Sequence, residues 1–113
     1  MHNSPKRAVR CVRLATEDAP ALSSLESRCF ALPWTEQAFA EAFAGKTFHA
    51  FGIRETASPL SPRELAGYIA VYHTPDEVEI LNIAVREDRR RHGYGRLLMA
   101  TALQDAKETG ILQ

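Results

Sequence analysis

The sequence contains little of what builds a disulfide scaffold, a membrane span or a charged binding face. Only two of its 113 residues are cysteines, Cys11 and Cys29, and neither lies in a C-x-x-C or a cysteine–histidine metal spacing. No apolar run approaches the roughly 18 residues of a membrane span, and no signal-peptide core follows the basic N-terminus. Basic and acidic residues number 14 each, which does not favour nucleic acid. We therefore expect a reduced, cytoplasmic protein without a metal site, a membrane contact or a nucleic-acid partner.

The composition is that of one ordinary folded domain. Hydrophobic residues make up 45% and charged residues 25% of the chain, and 113 residues are enough for a single core. We expect residues 1–8 to form a disordered tail and residues 9–113 to form the domain.

The spacing of apolar residues predicts an α/β fold with one strand, two helices, three strands and a last helix. The predicted elements are a strand over 9–14, a helix from a Thr16 cap through Cys29, a helix from a Thr35 cap through Phe43, strands over 47–54, 65–73 and 78–85, and a helix over 93–109 ended by Gly110. Three consecutive strands with short connections indicate an antiparallel meander. The last helix should pack on the sheet through an apolar stripe, which consists of Leu98, Met99, Ala102, Leu103 and Ala106.

The strongest functional signal lies in residues 79–104, where a strand leads through an arginine-rich turn into a helix. Main-chain N–H groups at a helix N-terminus bind anions, and the glycines of Arg90-x-x-Gly93-x-Gly95 allow a phosphate to come close. Residues 86–96 hold five arginines against two acidic residues, a net charge of +3. The turn lacks a Gly-Lys-Ser/Thr ending and the G-x-G-x-x-G pattern. An anion site is favoured over a solvated basic turn.

This stretch resembles motif A of the GNAT N-acetyltransferase superfamily, whose pattern is Q/R-x-x-G-x-G/A. The resemblance rests on Asn82-Ile83-Ala84-Val85, two acidic residues, and the run 90–98. A second pattern is similar to that of the ribosomal-protein-alanine N-acetyltransferase branch, the RimI type. It consists of Arg28-Cys29-Phe30, then Pro33-Trp34-Thr35, then a helix. The resemblance covers nearly all of residues 9–113 and implies the GNAT fold, complete up to the start of its fifth strand.

Acetyl-CoA is the co-substrate that the resemblance implies. The strand residues Ile83, Ala84 and Val85 would contact its pantetheine arm. Its pyrophosphate would lie against Arg90, at the Q/R position, and against Arg91, His92, Gly93, Tyr94, Gly95 and Arg96. His92 is expected to contribute a main-chain N–H and not to act as a base.

The implied reaction is direct attack of an amine on the thioester, with no covalent enzyme intermediate. An α-amine titrates near pH 7.7–8.0, against about 10.4 for lysine, so one carboxylate is a sufficient base. Glu79 is the acid on the strand leading into the motif, where several family members carry a base; an ordinary solvated strand residue is the alternative. By resemblance Pro33 and Trp34 belong to a substrate-facing loop, although core packing alone would explain them.

The family's domain continues with a fifth strand, a fourth helix and a hairpin, and this sequence ends at the expected start of that strand. By resemblance the branch's catalytic glutamate would lie on that strand and its acid tyrosine beyond it, so we expect a truncated chain with an open strand edge. The leading function is acetylation of a protein N-terminal amine, by resemblance the alanine of ribosomal protein S18. A non-catalytic fragment that binds CoA or a partner, and an acetyltransferase for small-molecule amines, are the alternatives.

Overall fold

A computed structural model describes residues 8–56 and 58–109 as a four-stranded antiparallel sheet with helices on both faces. The elements are β1 (Ala8–Arg13), α1 (Ala19–Cys29), α2 (Glu36–Ala44), β2 (Phe48–Thr56), β3 (Gly67–His73), β4 (Val78–Val85) and α3 (Tyr94–Glu108). The strand order is β1-β2-β3-β4, so the predicted fold class, element order and antiparallel meander are confirmed. None of the described helices is both long and apolar enough to cross a membrane.

The two predicted helix caps have opposite outcomes. Thr35 is confirmed, because its Oγ accepts the Ala38 N–H at 3.0 Å. Thr16 is wrong, since it lies in a short 3₁₀ turn and α1 begins only at Ala19. The Asp18 carboxylate accepts the Ala15 N–H at 2.8 Å and holds that turn in front of the helix. Gly110 and residues 1–7 lie outside the described residues, whereas Ala8, predicted in the tail, already belongs to β1.

Two apolar cores lie on opposite faces of the sheet. The face under α1 and α2 buries Leu22, Leu25, Phe39, Phe48 and Tyr68. The face under α3 buries Phe51, Ile53, Ile69, Val71 and Leu98. The predicted stripe of α3 is correct for Leu98, Ala102 and Ala106 but wrong for Leu103, which is 41% exposed because its position turns away from the sheet.

The last strand of the sheet contains a β-bulge. Ala70 of β3 pairs with Asn82, but the next residue, Val71, pairs with Ile80, so Leu81 is an extra residue in β4. Such a residue locally disrupts the ladder and bends the strand. Within the described chain β4 pairs only with β3, so its other edge is open.

Candidate anion-binding site

The open edge of β4 presents main-chain groups of two residues. The Arg86 N–H donates to the Ala66 carbonyl at 2.9 Å, so the main chain of Arg86, just after β4, turns toward β3. By the alternation of an antiparallel ladder, Ala84 turns its N–H and C=O toward β3, whereas Ile83 and Val85 turn theirs outward. Ile83 and Val85, and not Ala84, therefore offer hydrogen bonds at this edge.

Side chains cover the outward groups of this edge. The Ile83 N–H donates to the Asn82 Oδ1 at 3.0 Å. The Val85 carbonyl accepts from the Arg90 Nε at 3.2 Å, and the Cys29 thiol lies 3.8 Å from the same oxygen. Arg90 and Asn82 can rotate away without breaking the sheet, so a ligand can replace their hydrogen bonds.

A buried carboxylate fixes both ends of the arginine turn. Glu55, at the end of β2 and 5% exposed, accepts from the Arg89 Nε at 2.9 and 3.0 Å and from the Tyr94 hydroxyl at 2.5 Å. Burial raises the pKa of Glu55, but hydrogen bonds from Ser58, Tyr94 and Arg89 outweigh burial and leave that pKa below its ordinary value. The carboxylate is thus ionised and holds residues 90–93 between two anchored side chains.

This anchoring limits what three residues of the turn can offer to an anion. The ring of Tyr94 is buried against Glu55, so only the main-chain N–H of Tyr94 can face an anion. Arg86 pairs with Asp88 at 3.1 Å and with Glu64 at 3.3 Å, and Arg89 pairs with Glu55. Two of the five arginines counted in the sequence are therefore structural. The exposed ones are Arg90, Arg91 and Arg96.

The N-terminus of α3 is open toward solvent. Gly93, with φ of 79°, precedes the helix, and no described side chain caps it or places an acid in its first turn. The helical hydrogen bonds begin with the Leu97 N–H, so the N–H groups of Gly95 and Arg96 make no hydrogen bond within the helix. A Cβ atom on Gly95 would meet nothing within 4 Å. With three exposed arginines beside it, this helix end fits a phosphate group.

A second buried carboxylate, which the sequence reading missed, joins the Pro33–Trp34 loop to β4. Glu26 of α1, 1% exposed, accepts the Trp34 N–H at 3.0 Å, the Asn82 amide at 3.0 Å and the Tyr68 hydroxyl. Burial and the neighbouring Glu26 raise the pKa of Tyr68, which stays a neutral donor. The signal was present, since Glu26 lies on the apolar stripe of α1 four residues after Leu22.

A groove of about 510 Å³ lies beside this loop. Its lining is Pro33, Trp34, Thr35, Ala38, Glu41, Ala42 and Tyr72. The ring centroids of Trp34 and Phe39 are 5.3 Å apart, so Trp34 packs against the core. Trp34 is nevertheless 38% exposed, and its exposed part faces the groove. Glu79 is exposed and lies opposite Tyr72 in the ladder, so both side chains point to the same face of the sheet.

The chain shares its sequence pattern and fold with an acetyltransferase family. Residues 19–113 match the Acetyltransferase (GNAT) family, and the chain belongs to it. It is 30% identical over 98 residues to the ribosomal protein bS18-alanine N-acetyltransferase of Escherichia coli K12, covering 87% of this chain and 62% of the relative. The chain therefore spans less than two thirds of that relative's length.

Solved structures agree with this assignment. The crystal structure of the ribosomal-protein-S18-alanine N-acetyltransferase from Escherichia coli matches with a TM-score of 0.78 at 28% identity, over 92% of this chain and 63% of that one. The PaiA N-acetyltransferase of Thermoplasma acidophilum, solved with coenzyme A, matches with a TM-score of 0.75 over 93% of this chain and 76% of that one. At 13% identity the latter likeness concerns the fold alone.

Proposed function

We propose that this chain binds acetyl-CoA and that the protein transfers the acetyl group to the N-terminal α-amine of a protein. The uncapped N-terminus of α3, which the turn over residues 86–93 joins to the open edge of β4, is the observation that carries the proposal. Ile83 and Val85 offer main-chain hydrogen bonds to the amides of a pantetheine arm, with Ala84 between them. The turn and helix start bind the pyrophosphate through Arg90, Arg91, His92, Gly93, Tyr94, Gly95 and Arg96.

The proposed acceptor site is the groove beside Pro33 and Trp34. The acceptor nitrogen attacks the thioester carbonyl, the C–S bond breaks, and the thiolate of CoA leaves. Glu79 takes the proton from the amine, directly or through a water, from the same face of the sheet as the groove. The names of the bS18-alanine relatives support an N-terminal alanine of ribosomal protein S18 as the acceptor.

A second candidate function is binding of CoA without turnover. It rests on the same open N-terminus of α3 and does not need the proposed base Glu79. The two candidates differ in one measurement, the release of free CoA from acetyl-CoA in the presence of an alanine-starting peptide. Release that depends on a free peptide N-terminus supports the transferase, whereas calorimetric CoA binding without release supports the binding function. Absence of both contradicts the proposal.

Replacing Glu79 with glutamine tests the proposed base. We expect kcat to fall about 100-fold or more, because general-base catalysis contributes about 10²–10⁴-fold, while the Kd for CoA stays unchanged. Glu77→Gln, an exposed acid just before β4, is the matched control and should keep the wild-type kcat. An equal kcat in both variants would show that Glu79 is an ordinary surface residue.

A further inference from the structure

Three potential metal ligands meet on the α3 face of the sheet, away from the proposed CoA site. His49 comes from β2, His73 ends β3, and Asp105 lies in the second half of α3. The two imidazole rings stack with centroids 4.1 Å apart. One ligand atom from each of the three residues lies within 4.8 Å of the others. The fold thus gathers two imidazoles and a carboxylate that are far apart in the chain.

Two buried polar atoms of this cluster have no hydrogen-bond partner within residues 8–56 and 58–109. They are the Nε2 of His73, a residue only 7% exposed, and the Oδ2 of Asp105. The two atoms are 4.0 Å apart, too far for a hydrogen bond. Leaving such groups buried and unpaired is costly, and a cation between them would remove that cost.

We propose that His49, His73 and Asp105 bind a zinc ion. Two histidines and a carboxylate form a common zinc ligand set, with water at the fourth tetrahedral position. Ligands about 2.0–2.2 Å from zinc lie about 3.4 Å from each other, so the cluster must contract by up to about 1.4 Å from its spread of 4.8 Å. The His49 and Asp105 side chains, which are only partly buried, would rotate to make this contraction.

Arg13 competes with zinc for this site. Its Nη1 lies 2.9 Å from the Nδ1 of His49, and its Nη2 donates to the Oδ1 of Asp105. The Arg13 side chain is 48% exposed, so it can swing into solvent when a metal enters. The positive charge of Arg13 nevertheless repels the zinc ion. Removing the guanidinium should therefore tighten zinc binding.

The zinc would tie α3 to two strands and would not touch the anion site. Asp105 lies 11 residues after Tyr94, about 16 Å along the helix from its N-terminus. Zinc binding is therefore independent of acetyl transfer and should raise the melting temperature. The expectation of no metal rested on spacing along the chain, which cannot detect ligands from three separate elements.

Titration of EDTA-dialysed protein with Zn²⁺, followed by calorimetry and by the melting temperature, tests the proposal. We expect one equivalent to bind, and Co²⁺ to give the visible absorption bands of a tetrahedral site. Asp105→Asn and His73→Gln should weaken binding by more than about 100-fold, since loss of outer-shell partners alone costs about 10–100-fold. Arg13→Ser should tighten it.

His92→Gln is the matched control, because it removes an imidazole outside the cluster and should leave zinc affinity unchanged. If His73→Gln does not fold, the half-buried His49→Gln replaces it in the comparison. Failure of wild-type protein to bind one equivalent, or unchanged affinity in Asp105→Asn, would overturn the zinc site. CoA affinity, measured with and without zinc, should not change, so this outcome is separate from that of the proposed acetyltransferase.

Discussion

Glu55→Gln should lower the free energy of unfolding by about 3–5 kcal/mol, the usual cost of removing one partner of a buried ion pair. The side chain of Glu55 is fully buried and that of Arg89 is 8% exposed, so the substitution leaves the guanidinium with only the exposed carboxylate of Asp88, 3.7 Å away, as a countercharge. It also removes the ionised acceptor of the Tyr94 hydroxyl, which loosens the turn at both ends. Urea unfolding at pH 7, followed by circular dichroism, measures the loss.

The matched control is Glu64→Gln. Glu64 also pairs with an arginine of this segment, Arg86, but its side chain is 49% exposed, so its loss should cost less than about 1 kcal/mol. Equal losses in the two variants would contradict the structural role of Glu55. Since the folded pKa of Glu55 is depressed, its stabilisation is present above about pH 4.3 and is lost as the pH falls through the folded pKa. The difference between wild type and Glu55→Gln should therefore shrink in acid.

Gly95→Val should weaken CoA binding by about 10-fold or more while leaving the melting temperature almost unchanged. A Cβ at this position meets no atom of the described residues within 4 Å, and valine has no lower helix propensity than glycine. The branched side chain would instead occupy the space in which a pyrophosphate approaches the helix N–H groups. Calorimetric titration with CoA, beside a thermal melt of each variant, separates the two effects.

Gly95→Ala is the control for this substitution, because the motif that residues 90–95 resemble accepts either glycine or alanine at this position. We expect alanine to keep the CoA affinity within a few-fold. A valine variant that binds CoA as tightly as wild type would place the phosphates elsewhere, and Gly95 would then be an ordinary helix residue.

Local sequence patterns predicted the order of the helices and strands well. The bounds of β4 were predicted correctly because its eight consecutive residues lie between turn signals and suit a strand. Thr35 was predicted correctly as a helix cap because the N–H that it accepts lies only three residues away, on Ala38. Thr16 failed because the neighbouring Asp18 holds the backbone in a 3₁₀ turn.

The buried carboxylates that hold the site in place could not be predicted in the same way. Nothing local distinguishes Arg89, which is buried on Glu55, from Arg90 and Arg91, which are exposed, since the difference depends on a carboxylate 34 residues earlier in the chain. The same holds for Glu26, which meets Asn82 only after the sheet forms. The assignment of site residues to CoA and to catalysis stays a prediction.

The extra residue in β4 decides which face of the sheet receives the proposed base. In a regular strand Glu79 would share a face with Ile83 and Val85, which pack under α3. Because Leu81 is unpaired, the phase of the alternation changes, and Glu79 instead shares a face with Asn82 and Ala84. If Leu81 instead paired with Val71 in a regular ladder, Glu79 would turn to the α3 side, out of reach of an amine bound beside Trp34. The position of one carboxylate therefore depends on a single unpaired residue, and its chemistry could be lost without changing any polar side chain.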